Sequence, residues 1–259
     1  MGTILGMDSA ELIRDAVSRV AVLRQQTQSD PLLSEAVKAV KRFQSQRFSK
    51  TYADILMVGP YVGATQFFLN ELYSDKDYSQ RDAQFGRIAG ALQRIFPKPV
   101  VATAVLLAEL HVLTEELDHA MALAWRLAPL PHYLIGSSSS VGAPVSHPPD
   151  MEIANAHYQW VWRHVGKEDL RWKQLTQVIK VGQDLERLTG TPGLRLMLKM
   201  MRRPAHAAGL HDLQAFLESG FDTFAHMRHV GKNVAQQFLG LINTRESMLM
   251  RELFAPTVV

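Results

Sequence analysis

The sequence contains no cysteine in its 259 residues. That absence excludes disulfide bonds, a thiolate nucleophile and metal sites built on thiolates. Uninterrupted apolar runs approaching eighteen residues are also missing, so no membrane-spanning helix is predicted. Residues 1–15 have neither a basic start nor a long apolar run, so no export signal is expected. These absences together predict a protein of the cytoplasm.

A strong excess of charge of one sign is missing as well. The chain has 28 Lys and Arg residues against 25 Asp and Glu residues, a formal charge of +3. This excess is too small to indicate nucleic-acid binding by itself. The nucleophile motif Gly-x-Ser-x-Gly and the glycine-rich loops that bind phosphates or dinucleotides are absent. The sequence therefore predicts no nucleic-acid partner and no cofactor.

Apolar residues recur at helical spacing along the whole chain. Hydrophobic residues make up 47% and charged residues 20% of the sequence, which is typical of a globular protein. No pair of strands and no internal repeat is evident. The pattern predicts an all-α fold, a single bundle of about 8–10 helices that forms one domain over residues 1–259.

The predicted helices are bounded by capping residues, prolines and glycines. The longest, near 99–126, is predicted to be the central helix. Thr51-x-x-Asp54 and Ser79-x-x-Asp82 have the form of capping boxes, and Thr191-Pro192 is predicted to start a helix. Residues 128–150 contain five prolines and a serine tract, and are predicted to be a surface loop or linker. The other predicted helices cover about 8–26, 31–48, 60–73, 79–96, 150–166, 168–188, 194–203, 210–228 and 232–253.

Residues 67–85, FFLNELYSDKDYSQRDAQF, combine aromatic and charged side chains. Advancing about 100° per residue places Glu71 beside an apolar stripe of its helix. A carboxylate on such a face requires a partner, and Arg81 across the following turn is the predicted one. The stripe itself consists of Tyr61, Ala64, Phe68 and Leu72.

The segment Phe67–Tyr73 resembles the signature of a family of uncharacterised bacterial proteins, the FFLEELY-motif family, with Asn70 in place of the first glutamate. Further parts of the family pattern are similar and occur in the same order. They are Thr51–Asp54, Arg81–Phe85, Glu109–His111, Ala208–Leu210, Phe216–Glu218, Gly220–Phe221 and Arg245–Glu246. The resemblance implies a helical protein and supplies no activity.

The predicted central helix carries the densest set of polar side chains with ligand chemistry, from Glu109 to His119. Its carboxylates and histidines are interpreted as pairs four residues apart, such as His111 with Glu115, within a polar network that anchors the helix. The same residues are candidates for ligand contact. The full candidate set is Glu71, Tyr73, Arg81, Asp82, Glu109, His111, Glu115 and Asp118.

A metal site is the alternative interpretation of this region. Glu116-x-x-His119 has the spacing found in dimetal sites of helical bundles, with Glu71 and Glu109 as further ligands. Such a site requires a second Glu-x-x-His, and the sequence has none, so no bound metal is predicted. The triplet Asp222, His226 and His229 also has ligand spacing on one helix face, but is interpreted as surface decoration.

Two basic stretches, 38–47 and 195–203, are interpreted as solvated helix faces, with an acidic partner or a membrane surface as the minority interpretation. The preferred function is binding, either of a protein partner or of a small apolar ligand held between helices. The alternative is a helical carboxylate metalloenzyme, either a dimetal or a haem-oxygenase-like oxidase.

Overall fold

The computed structural model describes residues 8–57, 59–73, 76–127 and 151–255. These residues form helices and no strand, so the predicted all-α bundle is confirmed. The helices are α1 (Ser9–Ser29), α2 (Pro31–Thr51), α3 (Ala53–Leu56), α4 (Val62–Glu71), α5 (Ser79–Ile95), α6 (Lys98–Trp125), α7 (Met151–Val165), α8 (Glu168–Thr189), α9 (Leu194–Met200), α10 (Arg202–Ala207), α11 (His211–Val230) and α12 (Val234–Phe254).

Helix lengths explain the difference between the predicted and the observed number of helices. Within the described ranges, nine helices have ten or more residues, in agreement with the predicted number. The other three, α3, α9 and α10, are only 4, 7 and 6 residues long. A helix of one or two turns is too short to show a clear apolar period, so the sequence did not resolve α3 and predicted one helix at 194–203 where α9 and α10 are separate. The predicted loop 128–150 lies outside the described residues.

Two aspartates fix the starts of the first two helices. Asp8 caps α1 and forms a capping box with Glu11, in which each side chain binds the backbone N–H of the other residue. Asp30 caps α2 by accepting from two backbone N–H groups, with Pro31 at the first helical position. Both starts agree with the predicted positions.

Three other predicted caps are wrong. Thr51 is the last residue of α2. Tyr78 is the residue that precedes α5 and its side chain does not cap the helix; Asp77 accepts a hydrogen bond from the backbone N–H of Ser79. Gly193 precedes α9 with a φ of 78°, in the left-handed region that suits glycine, so Thr191 and Pro192 lie in the turn before it.

Helix α6 is the central helix, as predicted, and it packs on both of its apolar sides. Ala108 and Val112 join an apolar cluster with residues of α1 and α5. Met121 and Ala122 join a second cluster with residues of α2, α7, α8 and α12. A helix that is apolar on two sides has to be enclosed by neighbours, which is why its sequence shows almost no single hydrophobic face.

The aromatic residues of α4 form a third part of the core. Phe67 and Phe68 are buried together with Phe48 of α2 and Phe238 of α12. Leu72 does not continue this stripe, because it follows the last residue of α4 and is 37% exposed. Within the described residues, no helix is long and apolar enough to span a membrane.

Candidate functional site

Two basic residues of α2, Lys41 and Arg47, point into the bundle instead of into solvent. Lys41 Nζ lies 2.9 and 3.2 Å from the two carboxylate oxygens of Glu115 on α6. Arg47 donates two hydrogen bonds of 3.1 Å to Glu246 on α12. The interpretation of 38–47 as a solvated face is therefore wrong for Lys41 and Arg47, which pair across helix interfaces. Two buried ion pairs fix α2 against α6 and α12.

Asp82 connects three helices at the other end of the polar network. Its carboxylate is 2.6 Å from Arg24 of α1 and 2.7 Å from Nε2 of His111 of α6. Burial raises the pKa of Asp82, but the hydrogen bond from His111 and the positive charge of Arg24 outweigh burial and lower it to about 2. Asp82 is thus an ionised buried carboxylate, and His111 pairs with it instead of with Glu115.

Arg81 lies between the carboxylates of Glu71 and Asp82. Its ion pair with Glu71, predicted from the sequence, is present at 3.4 Å, and its Nε is 3.7 Å from Asp82. The guanidinium also stacks on Phe216 at 4.4 Å. Because 26% of the Glu71 side chain remains exposed, this pair is more hydrated than those of Lys41 and Asp82.

Tyrosines surround the Arg47–Glu246 pair. Tyr52 donates a hydrogen bond of 2.9 Å to Glu246, and the ring of Tyr73 stacks on Phe48 with centroids 4.6 Å apart. Burial and the nearby Glu246 carboxylate raise the pKa of both tyrosines above the usual range. Both phenols are therefore neutral hydrogen-bonding groups and do not supply a phenolate.

Asp118 is a fully enclosed carboxylate of α6. It is 4% exposed, and Gln44 of α2 donates a hydrogen bond of 2.9 Å to it. Burial raises its pKa more strongly than the charges of Lys41 and Arg171 lower it. Asp118 thus interacts electrostatically with Lys41 and Arg171, although its described hydrogen bond is with Gln44.

Arg171 of α8 is the exception in this network. Arg171 is 4% exposed. Its Nη1 donates a hydrogen bond of 3.2 Å to Gln174, and its guanidinium stacks on Trp162 of α7 at 4.2 Å. Its Nη2 and the indole Nε1 of Trp162 have no hydrogen-bond partner in the described chain. Among the described residues, no carboxylate lies within 4.0 Å of Arg171. Burial lowers the pKa of the Arg171 guanidinium.

The four residues of the metalloenzyme alternative have separate surroundings. Glu71 pairs with Arg81, Glu116 pairs with Arg19 of α1, and Glu109 is exposed. His119 Nδ1 lies 3.5 Å from the hydroxyl of Thr27. Over the described ranges, no group of three His, Cys, Asp or Glu residues is arranged to hold a metal ion. The structure does not bring these four side chains together.

The triplet of α11 is also divided. Asp222 pairs with Arg195 of α9 at 2.9 Å, whereas His226 and His229 are exposed. The ion pair holds α9 against α11 and gives Asp222 a structural partner.

Several members of the network were not predicted from the sequence. The missed residues are Arg24, Lys41, Arg47, Arg171 and Glu246. A signal for two of them was present: Arg47 continues the apolar spacing of Val40 and Phe43, and Arg171 lies four residues before buried Leu175. A charge within an apolar stripe indicates a buried pair, which is the argument that identified Glu71.

Comparison with curated proteins and with solved structures found no match for this chain. A family model described as a Domain of unknown function (DUF8198) matches residues 23–258. The matched region includes every residue of the polar network, from Arg24 to Glu246. The chain therefore belongs to the DUF8198 family, whose description assigns no activity.

Proposed function

We propose that this protein is a binding protein and that Arg171 receives the anionic group of a small ligand. The observation that supports the proposal is the isolated guanidinium: Arg171 is as buried as Asp118, yet its Nη2 has no partner in the described residues. Arg47 Nε is also without a hydrogen-bond partner, but Arg47 has the Glu246 carboxylate, whereas Arg171 has no carboxylate within 4.0 Å among the described residues. A buried cation with no carboxylate in contact marks a place where a further molecule can bind.

The energetic argument compares Arg171 with the other buried cations. Lys41, Arg47 and Arg24 each have a carboxylate within about 3 Å. Such pairing offsets the several kcal/mol that it costs to remove an ion from water. Arg171 has only the Gln174 amide and the Trp162 ring as close contacts. An incoming anion would provide the directly bonded counter-charge that Arg171 lacks.

The surroundings of Arg171 define the chemistry of the ligand. A guanidinium binds a carboxylate through two parallel hydrogen bonds, because the two groups match in geometry. The adjoining cluster supplies apolar and aromatic surface from Phe43, Tyr158, Trp162 and Leu175. The ligand class that fits is a carboxylic acid with an apolar body, such as a short fatty acid or an aromatic acid.

Helix α7 controls access to Arg171. Its Trp162 lies over the guanidinium, and its Tyr158 stacks on Phe43 of α2 with ring centroids 4.3 Å apart. Contacts between rings can slide and repack at lower cost than a buried ion pair can separate. We therefore expect a ligand to displace Trp162 and to change its indole environment.

Thermal unfolding in the presence of sodium octanoate or sodium benzoate tests the proposal. A ligand that binds only the folded protein raises the melting temperature as its concentration rises. The expected result is a rise with at least one carboxylate, none with octanol, and loss of the rise in Arg171→Met. Arg195→Met is the matched control, because it removes an arginine that pairs with Asp222 on the surface.

Two results would overturn the proposal. One is a melting temperature that neither carboxylate raises. The other is an equal rise in the wild type and in Arg171→Met, which would place the binding elsewhere. The metalloenzyme alternative has no comparable support, because its four ligand residues lie apart in the described structure.

A further inference from the structure

The short helices α9 and α10 form a basic surface. Residues 194–207 contain four cations and no carboxylate. Arg195 and Arg202 bind carboxylates of α11, namely Asp222 at 2.9 Å and Glu218 at 2.7 Å. The other two cations, Lys199 and Arg203, are exposed and have no ion pair within the described ranges.

The same surface exposes large apolar side chains. Leu196 is 60% exposed and Met200 is 62% exposed, and they lie four residues apart on α9. The opposite side of α9 packs into an apolar cluster through Leu194, Met197 and Leu198. Helix α9 is therefore fixed to the bundle by one side and presents leucine and methionine beside Lys199 on the other.

The turn between α5 and α6 extends this surface. Phe96 and Val100 pack against the apolar cluster that α9 also joins, so the turn and α9 adjoin one part of the core. Its exposed residues include two cations and one large apolar side chain, Arg94, Lys98 and Ile95, besides two prolines. Ile95 is 52% exposed. We call the combined area, made of α9, α10 and this turn, the basic-apolar surface.

The shape of the basic-apolar surface distinguishes between possible partners. A helix of a partner protein needs a groove for its apolar side chains. The recess between α9 and α11 has a volume of only about 10 Å³, which is room for roughly one water molecule. Leu196 and Met200 instead protrude, and protruding apolar side chains fit a surface that can deform around them. A lipid layer has this property, and anionic headgroups complement the cations.

We propose that the basic-apolar surface docks on membranes that contain anionic lipids. Leu196 and Met200 would enter the boundary between headgroups and acyl chains, while Lys199 and Arg203 would approach the headgroup phosphates. The protein would then lie on the membrane, held by a combination of apolar burial and charge. Each cation near an anionic surface strengthens binding by about fivefold.

Sedimentation with lipid vesicles tests this proposal. The vesicles contain either phosphatidylcholine alone or phosphatidylcholine with phosphatidylserine at roughly 70:30, a composition that gives a negative surface potential. The full chain is expected to sediment with the mixed vesicles, to bind the neutral vesicles far more weakly, and to dissociate as salt is raised.

Two double variants separate the apolar and the electrostatic contributions. Lys199→Gln with Arg203→Gln should lower the affinity for mixed vesicles by about 25-fold if the two effects multiply. Leu196→Gln with Met200→Gln should lower it at least tenfold, because the inserted apolar area is lost. The control is Met248→Gln, since Met248 is 63% exposed on α12, outside the basic-apolar surface. Unchanged melting temperatures would show that the variants fold.

The proposal would be overturned if the wild-type chain did not sediment with the mixed vesicles. That result is expected if an acidic protein binds this surface instead. Equal vesicle binding by the wild type and both double variants would also overturn it. Arg171→Met should bind vesicles like the wild type, because Arg171 is buried away from this surface. Failure of the ligand proposal and failure of the membrane proposal are thus distinguishable.

Discussion

Buried ion pairs fix neighbouring helices of this bundle against one another. Asp82, Glu115 and Glu246 each receive a cation from a different helix. Breaking a buried pair leaves one ion without its counter-charge and costs about 3–5 kcal/mol, whereas exposed pairs contribute about 0–1 kcal/mol. The buried pairs therefore have much larger effects on stability than the many ion pairs on the surface.

Asp82→Asn tests this view through pH. The folded pKa of about 2 lies below the usual 3.8, so the ionised carboxylate stabilises the folded protein above pH 3.8 and this contribution is lost as pH falls towards 2. The shift corresponds to about 2 kcal/mol. We expect Asp82→Asn to lower the free energy of unfolding by at least that amount at pH 6, and by about 2 kcal/mol less at pH 2 than at pH 6.

Urea unfolding at several pH values measures this difference. Asp15→Asn is the control, because Asp15 pairs only at 3.8 Å with Arg19 and about half of its side chain is exposed. A constant difference between wild type and Asp82→Asn from pH 6 to pH 2 would contradict the assigned role of the Asp82 carboxylate.

The sequence identified some polar residues of the core and missed others for a physical reason. Glu71 was recognised because it lies beside aromatic residues, and its partner Arg81 is only ten residues away. Arg47 and Glu246 are 199 residues apart, and the apolar period of one helix contains no information about such a distant partner. The place of Arg171 depends likewise on α7 and α8 meeting, which a single sequence does not reveal.

At the level of helices, apolar spacing predicts the elements well and capping motifs predict their ends poorly. The long helices follow the predicted ranges because each has its own local period. Thr51 fails as a cap because α2 continues through it, and Asp82 fails because its carboxylate binds Arg24 and His111. Tertiary contacts override a local cap signal in both cases.

Two leucines of α6 provide a matched test of its central position. Leu117 is completely buried, whereas Leu123 is 45% exposed on the same helix. Leu117→Ala should lower the free energy of unfolding by about 2–5 kcal/mol, because it removes buried methyl groups and leaves a cavity. Leu123→Ala should change it by less than about 1 kcal/mol. Chemical denaturation of both variants compares them, and equal losses would show that α6 is not enclosed.

For the whole molecule, helices on both sides of residues 128–150 share their cores. One apolar cluster combines residues of α2 and α6 with residues of α7, α8 and α12. A second combines α2 and α4 with α11 and α12. We propose from these shared clusters that residues 1–259 form one domain, since two of the apolar clusters combine helices from both sides of residues 128–150.

Limited proteolysis within 128–150 tests the single domain. Its proline and serine residues make it the predicted site of first cleavage. The two fragments are expected to elute together in size-exclusion chromatography without denaturant and to separate in urea, because their helices share apolar clusters. Fragments that separate without denaturant and remain helical would indicate two independent domains.

The central claim is that Arg171 is kept for binding and not for stability, and the unfolding free energy of Arg171→Met without ligand tests it most directly. Replacing a buried cation that has no carboxylate in contact by an apolar side chain of similar length should raise this free energy by about 1–3 kcal/mol. Arg47→Met is the contrast, because it strands the Glu246 carboxylate and should lower the free energy by about 3–5 kcal/mol. If Arg171→Met instead destabilises the protein as much as Arg47→Met does, Arg171 is a structural residue and the account is contradicted.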